Sequence, residues 1–284
     1  MSQPLLQYRE EAPPVDLAGW VESFWLIQTF ASTEQQAEHW VLPEASVNLV
    51  FWLPRGWQQP GSMIPPILSG PTLKEFRKPT TPGEAYLGVR FRAGAGPAFL
   101  DCPGSKLASV IQPLHMVQPD WAQRLTTLLH ATRSEAEALA AVIEGLRERA
   151  PQAPPADTLM IDAAAWYRRQ EDTVTLQQWS SEAGLSERQF RRRFLDAVGL
   201  SPKAFMRVVR MQSFVREHML HPHVNWGQLS YQAGFADQAH LVNEFRSLSG
   251  DRPTSFHRHV QRIDHTQILH DSAADVRNVQ YPSE

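Results

Sequence analysis

The chain has one cysteine in 284 residues, Cys102, which excludes an intrachain disulfide framework and any cysteine-based zinc site. Long hydrophobic runs are also lacking. The longest apolar stretches, such as Val47-Asn48-Leu49-Val50-Phe51-Trp52-Leu53, have the length of a strand rather than of a membrane span. The N-terminus, with Arg9, Glu10, Glu11 and Asp16, is too charged for a secretory signal. These absences make a cytoplasmic protein, with no membrane partner, the expectation. Frames for catalysis are missing as well. There is no G-x-S-x-G, no histidine neighbours Cys102, and Gly94-Ala95-Gly96 lacks the third glycine of a dinucleotide loop because Phe99 stands there. No catalytic residue, cofactor or metal is therefore assigned. His218, His221 and His223 cluster beside Pro222, where imidazoles and proline terminate a helix more simply than they hold a metal. The N-terminal part offers only His39 and His115.

A large charge of one sign is lacking too: Lys and Arg number 27 against 30 Asp and Glu, net −3. Divided by region, the charge becomes informative. Residues 160–262 hold 14 basic and 10 acidic side chains, and the rest of the chain 13 and 20. Arg188, Arg191, Arg192 and Arg193 fall within two helical turns of that basic region, as phosphate and base-edge contacts require.

The same region holds a repeated pattern. Ala183-Gly184-Leu185-Ser186 … Phe194 … Gly199 … Pro202 recurs as Ala233-Gly234-Phe235-Ala236-Asp237 … Phe245 … Gly250 … Pro253. Each copy opens on an apolar stripe at i, i+3, i+7, Leu176, Trp179 and Ala183 in the first and Trp226, Leu229 and Ala233 in the second. Gly184 and Gly234 then supply the positive φ of a tight turn, and Ser186 and Asp237 stand at the N-caps of the following helices. Ser186 with Gln189 reads as a capping box. The pattern is that of two helix-turn-helix units in tandem. Between them, Ser201-Pro202 starts a helix that can run to Leu220, about 28 Å long at 1.5 Å per residue. Successive major grooves on one face of B-DNA lie about 34 Å apart, so one chain can place two recognition helices in adjacent grooves.

Phe190 and Phe194, and Leu241 and Phe245, are i, i+4 pairs that should face the core. The outward faces then carry Arg188, Arg191 and Arg192 on the first helix and Gln238, Val242 and Asn243, with His240 beside them, on the second. Arginine pairs bidentately with guanine, glutamine and asparagine with adenine, and valine meets a thymine methyl. Arg207, Arg210 and Arg246 are expected at phosphates, where they set register without reading sequence.

Residues 1–110 read as mostly β, a small barrel or sandwich, with strands at Trp40-Val41-Leu42, Val47 to Leu53 and Tyr86 to Phe91 between Pro/Gly punctuation. From Asp120 to Arg149 the period becomes helical, in two helices broken near Thr132–Ser134. The expected fold is thus α+β and multidomain. It comprises a β domain over 1–110, helices over 111–149 that are the expected dimerisation element, a proline-rich linker over 150–158, a double helix-turn-helix domain over 159–262 and an aperiodic tail over 263–284. Five of nine tryptophans lie in the first 60 residues, and aromatic walls suit small organic ligands as well as they suit a core. Trp25, Trp40, Trp52, Tyr86 and Arg90 are the candidate effector-pocket residues. Leu87, Val89 and Phe91 share one strand face, leaving Tyr86 and Arg90 on the other. Arg90 there either meets an effector anion or faces solvent.

The two units, their spacing and the run Gly234-Phe235-Ala236-Asp237-Gln238-Ala239-His240 … Phe245 … Gly250-Asp251-Arg252-Pro253 resemble the DNA-binding domain of AraC/XylS-type bacterial transcription regulators over about residues 160–260. The resemblance implies a seven-helix domain with Arg188, Arg191 and Arg192 at base-reading positions of the first recognition helix and Gln238, Ala239, Val242 and Asn243 at those of the second. Leu42-Pro43-Glu44, Asn48-Leu49-Val50-Phe51, Ser69-Gly70-Pro71 and Gly88-Val89-Arg90-Phe91 are similar to the regulatory domain of some of these proteins. After Phe91 the chain departs from that domain's Pro-Gly-Gly-like turn. The implied function is sequence-specific regulation of transcription in the bacterial nucleoid, with double-stranded DNA, RNA polymerase, a small-molecule effector and a second copy of the chain as partners. Two alternatives stay open: a cupin-like enzyme carrying a DNA-binding appendage, and a regulator whose N-terminal domain only oligomerises.

Overall fold

The computed structural model describes residues 6–30, 38–54, 56, 64–79, 81–169, 176–220, 224–260 and 263–267. Its N-terminal half is built on a sheet in which β1 (Leu6–Glu11), β2 (Val21–Thr29), β4 (Asn48–Leu53), β5 (Ile67–Ser69), β7 (Ala85–Phe91) and β8 (Ile111–Pro113) run antiparallel in the order β8-β5-β4-β7-β2-β1. A second, two-stranded sheet pairs β3 (Glu38–Val41) with β6 (Phe76–Pro79). Alternation sorts the side chains of the central strands: Leu49, Phe51, Leu87, Val89 and Phe91 are fully buried on one face, as period 2 requires.

That face is covered by helices. After the short helices α1 (Gly96–Phe99) and α2 (Gly104–Leu107) come α3 (Pro119–His130) and α4 (Glu135–Arg149). Trp121, Leu125, Leu129, Val142 and Leu146 join the sheet residues in one hydrophobic cluster. The break between the helices falls where Ser134 caps α4 by accepting the Glu137 N–H. So one face of the 111–149 segment is already spent on the core of its own domain.

The C-terminal half is helical: α5 (Thr158–Arg169), α6 (Leu176–Glu182), α7 (Glu187–Val198), α8 (Pro202–Leu220), α9 (Trp226–Gln232), α10 (Gln238–Ser249) and α11 (Pro253–Val260). Two cores hold it. One gathers Met160, Tyr167, Phe190, Phe194, Phe205 and Val208 around the first half of α8. The other gathers Phe214, Leu229, Leu241, Phe245 and Phe256 around its second half. His218 belongs to the second core, stacked on Phe214 at 5.9 Å and edge-on to Trp226 at 5.5 Å. It stands in the last turn of α8 and is buried in that core; His221 and His223 lie outside the described residues.

The proline-rich linker joins two halves that touch: Ala45 and Ala93 of the β domain lie within the first helical core, and Arg168 of α5 donates to Ser46 at 2.7 Å. Proline content reports local stiffness, not whether the flanking bodies touch. Residues 263–267, read as part of an aperiodic tail, form β9 (Ile263–Gln267), which adds to the sheet parallel to β1. A sheet edge recruits an extended segment through backbone groups alone, which leaves no side-chain periodicity to read.

Candidate nucleic-acid interface

Each helix-turn-helix unit is made by a glycine turn and a capped second helix. Gly184 and Gly234 have φ of +64° and +74°, conformations an L side chain strains to adopt. Ser186 caps α7 in a complete capping box: its hydroxyl accepts the Gln189 N–H, and Gln189 accepts the Ser186 N–H at 2.9 Å. Asp237 caps α10, its carboxylate accepting the His240 N–H at 2.7 Å. Both helices end on left-handed glycines, Gly199 and Gly250. Phe190, Phe194, Leu241 and Phe245 are fully buried, which fixes the rotation of each helix and turns its other face outward.

The outward faces carry the expected residues. Arg188, Arg191 and Arg192 are exposed on α7; Gln238, Ala239 and Asn243 are exposed on α10, and Val242 is half-buried. Arg191 forms an i, i+4 ion pair with Glu187 at 2.7 Å, whereas Arg188 and Arg192 form no ion pair with the described residues. Arg193 points elsewhere, into a bidentate pair with Asp157, the residue before α5. That pairing holds the guanidinium further into its charged form and ties α7 to α5. His240 also turns inward, its Nδ1 accepting the Ala236 N–H at 3.2 Å and its ring meeting Phe235 at 5.4 Å.

The three arginines assigned to phosphates divide. Arg246 is exposed at the far end of α10. Arg207 is instead committed within the protein, donating to Glu244 at 2.6 Å and to Ser247 at 3.0 Å. Arg210 donates to the Gly234 carbonyl at 3.4 Å and lies over the Phe235 ring at 5.9 Å. Both guanidiniums brace α8 against the second unit. Their partners lie on α10 and in its turn, 37 and 24 residues away in sequence, which is why residue type alone suggested a phosphate role.

Of the candidate effector residues, Trp25, Trp52, Tyr86 and Arg90 lie on the face of the β-sheet opposite its helices. Trp25 donates from Nε1 to Asn48 at 3.0 Å and covers Gly88 so closely that a Cβ there would meet the indole at 1.8 Å. Trp52 stacks on Tyr86 at 6.3 Å, with the Lys78 ammonium 4.1 Å and 4.3 Å from the two ring centres. The Trp52 Nε1 is buried and has no hydrogen-bond partner among the described residues. Trp40 stands on β3, and its side chain lies outside the described residues. Arg90 is neither a free anion site nor a solvent-facing side chain. It donates to Glu10 at 2.7 Å and to the Tyr8 hydroxyl at 3.3 Å, and pairs with Glu44 at 3.4 Å. Burial alone would raise the Glu10 carboxyl, but the Arg90 guanidinium and the Tyr8 hydroxyl hold it below its ordinary range. Burial pushes the Tyr8 phenol far up. Tyr8 and Glu10 escaped sequence reading because they sit 80 or more residues from Arg90; Glu44 was legible only within the motif Leu42-Pro43-Glu44.

Among the described residues no three His, Cys, Asp or Glu side chains are grouped to hold a metal, and no helix is long and apolar enough to cross a membrane.

Residues 179–259 match the family described as a helix-turn-helix domain, and residues 9–111 match a domain of unknown function, DUF6597. No curated protein matches the chain. Solved structures that resemble it include three of ToxT from Vibrio cholerae. An apo point variant from strain SCE256 is 9% identical over 92% of this chain and 98% of that one, with a TM-score of 0.45. The wild-type protein of that strain with an unsaturated fatty acid bound is 9% identical over 93% and 100%, TM-score 0.45. ToxT from strain O395 bound to (E)-4-(8-methylnaphthalen-1-yl)but-3-enoic acid is 9% identical over 91% and 100%, TM-score 0.44.

Proposed function

We infer, from the premise that this chain is a DNA-binding transcription regulator whose residues 179–259 are an AraC-type helix-turn-helix domain, that it reads one asymmetric site with two unlike heads. The observation that carries this reading is the pair of capped helices, α7 and α10, whose inner faces are locked by buried phenylalanines while their outer faces are free. On α7, Arg188, Arg191 and Arg192 supply charge and guanine readout; on α10, Gln238, Ala239, Val242 and Asn243 supply uncharged readout suited to A·T pairs. The first head then contributes most of the salt-dependent affinity. The protein works by binding rather than by catalysis, in the cytoplasm, where its DNA and RNA polymerase are.

The β domain is proposed to receive the signal. The aromatic face of Trp25, Trp52 and Tyr86, with the unpartnered Trp52 Nε1, supports an organic ligand. The exposed face of the 111–149 helices is the proposed contact between two copies.

Selection of sites from random duplex DNA with the full-length protein tests the reading. The expected result is one sequence with two unlike elements whose centres lie about 10 bp apart. Recovery of no enriched sequence overturns it. A ligand of the β domain, supplied at about 100 times its Kd, would stabilise that domain by about 2.7 kcal/mol. Unchanged melting across a broad panel of metabolites would leave oligomerisation as its role.

A further inference from the structure

We propose that residues 71–77 of the β domain form a strap that sets the separation and rotational phase of the two recognition helices, so that the N-terminal domain takes part in choosing the spacing of the DNA site. The proposal rests on the reading of α7 and α10 as the two DNA-reading helices.

The strap follows β5, runs into the start of β6 and crosses from one head to the other. At its start Pro71 packs on Gly199, the left-handed C-cap of α7: a Cβ on Gly199 would lie 2.6 Å from the proline ring. The neighbouring Gly104 is equally close, since a Cβ there would meet the Gly199 nitrogen at 2.5 Å. Ser105 adds a hydrogen bond to Asp196 at 2.8 Å. In the middle, Leu73 packs against both helical cores. At its far end the Glu75 N–H donates to the Leu248 carbonyl in the last turn of α10 at 3.3 Å, and Arg77 pairs with Asp251, just past the α10 C-cap, at 3.5 Å. The strap is also tied to the connecting helix. Thr72 and Glu44 exchange backbone hydrogen bonds of 2.8 Å and 3.2 Å, and Gln212 of α8 donates to the Pro43 carbonyl and to Glu44 at 3.1 Å and 3.3 Å.

Covalently the heads are joined only through α8 and the segments that flank it, and a long helix bends. The strap makes a second, non-covalent link between them and holds each at its C-terminal end. Base-edge contacts come from the opposite, N-terminal part of a recognition helix, so a seated strap and bound DNA are compatible. Moving one half-element by 1 bp displaces it by about 3.4 Å and rotates it by about 34°. A braced pair of heads rejects that change, and an unbraced pair follows it.

The test uses full-length protein on the selected site and on two copies with the half-elements moved together or apart by 1 bp. Arg77→Ala frees the α10 end; Gly104→Ala pushes the α7 end off by its added methyl; Ser105→Ala, which removes one exposed hydrogen bond, is the mild variant that keeps the fold. Wild type should prefer the native spacing by about tenfold or more, within the range a single base-pair change commands. Arg77→Ala and Gly104→Ala should lower that preference to about threefold or less while native-site affinity changes little, and Ser105→Ala should fall between. An unchanged preference, or equal weakening on all three sites, overturns the strap while leaving the two heads intact as readers. Failure to select any site overturns the reading beneath it instead.

Discussion

Glu187 should restrain the first recognition helix, and replacing it should strengthen DNA binding. Arg191 and Arg192 point outward from adjacent positions of α7, but only Arg191 is engaged, by Glu187 one turn earlier at 2.7 Å. Both partners are well exposed, 59% and 45%, so the pair is screened and worth only about 0.3–0.5 kcal/mol. To reach a guanine edge, Arg191 must leave that pair; Arg192 leaves none. A bidentate base contact contributes about 1–3 kcal/mol of discrimination. Arg192→Ala should therefore cost about 5- to 150-fold in affinity for the selected site, and Arg191→Ala about twofold less than that. Glu187→Gln should raise affinity about twofold by freeing Arg191, and more at low salt because it also removes a negative charge that faces phosphate. Fluorescence anisotropy on the selected site and on a scrambled duplex, at two salt concentrations, separates these effects. Equal loss on both duplexes for both arginine variants, or weaker binding by Glu187→Gln, would refute base reading by these side chains and leave them as phosphate contacts.

Three further outcomes follow from internal pairings. Arg207→Ala, Glu244→Ala and the double variant should show a coupling of about 1 kcal/mol in thermal or denaturant melting, because the 2.6 Å pair is only a quarter exposed; no coupling, with a salt slope reduced by about one, would return Arg207 to a phosphate. Ser186→Ala, which removes the capping-box hydroxyl of α7, should cost about 1 kcal/mol of stability, read as a lowered Tm with weaker binding to the selected site. Glu10 is held below its ordinary carboxylate range by Arg90 and Tyr8 against the opposing effect of burial, so its contribution to stability is complete above the unfolded value and is lost as pH falls through the lower folded one. Arg90→Gln strands that buried carboxylate and should cost about 3–5 kcal/mol at pH 7; the difference from wild type should narrow at pH 4 in denaturant titrations, and an equal difference at both pH values would contradict the pairing.

What could be read from the sequence was whatever repeats at short range. The stripes ending at Gly184 and Gly234, the caps Ser186 and Asp237 and the buried pairs Phe190–Phe194 and Leu241–Phe245 each lie within a few residues of one another, so helical period and cap chemistry reveal them without tertiary information. The helix break near Thr132–Ser134 and the strand face Leu87, Val89, Phe91 were legible for the same reason. The long central strand β2, Val21-Glu22-Ser23-Phe24-Trp25-Leu26-Ile27-Gln28-Thr29, was not. Its run Phe24-Trp25-Leu26-Ile27 is apolar on both faces of the sheet, so no alternation of period two marks it.

Partners distant in sequence were the harder loss, and they decide which arginines can touch DNA. Arg193, Arg207 and Arg210 are of the same type and lie in the same basic stretch as Arg188, Arg191 and Arg192, yet Asp157, Glu244 and the Gly234 carbonyl claim them. A bidentate guanidinium serves carboxylate and phosphate equally well, so composition cannot tell a brace from a reader. Only the fold does, by placing an acceptor within reach. The same selection applies to Arg90: β7 sets it between Glu10 on β1 and Glu44 beside the strap, where an incoming anion must compete with two carboxylates rather than fill a vacant site. Glu44 also accepts from Gln212 of α8, so one carboxylate joins the Arg90 cluster to the helix between the two heads.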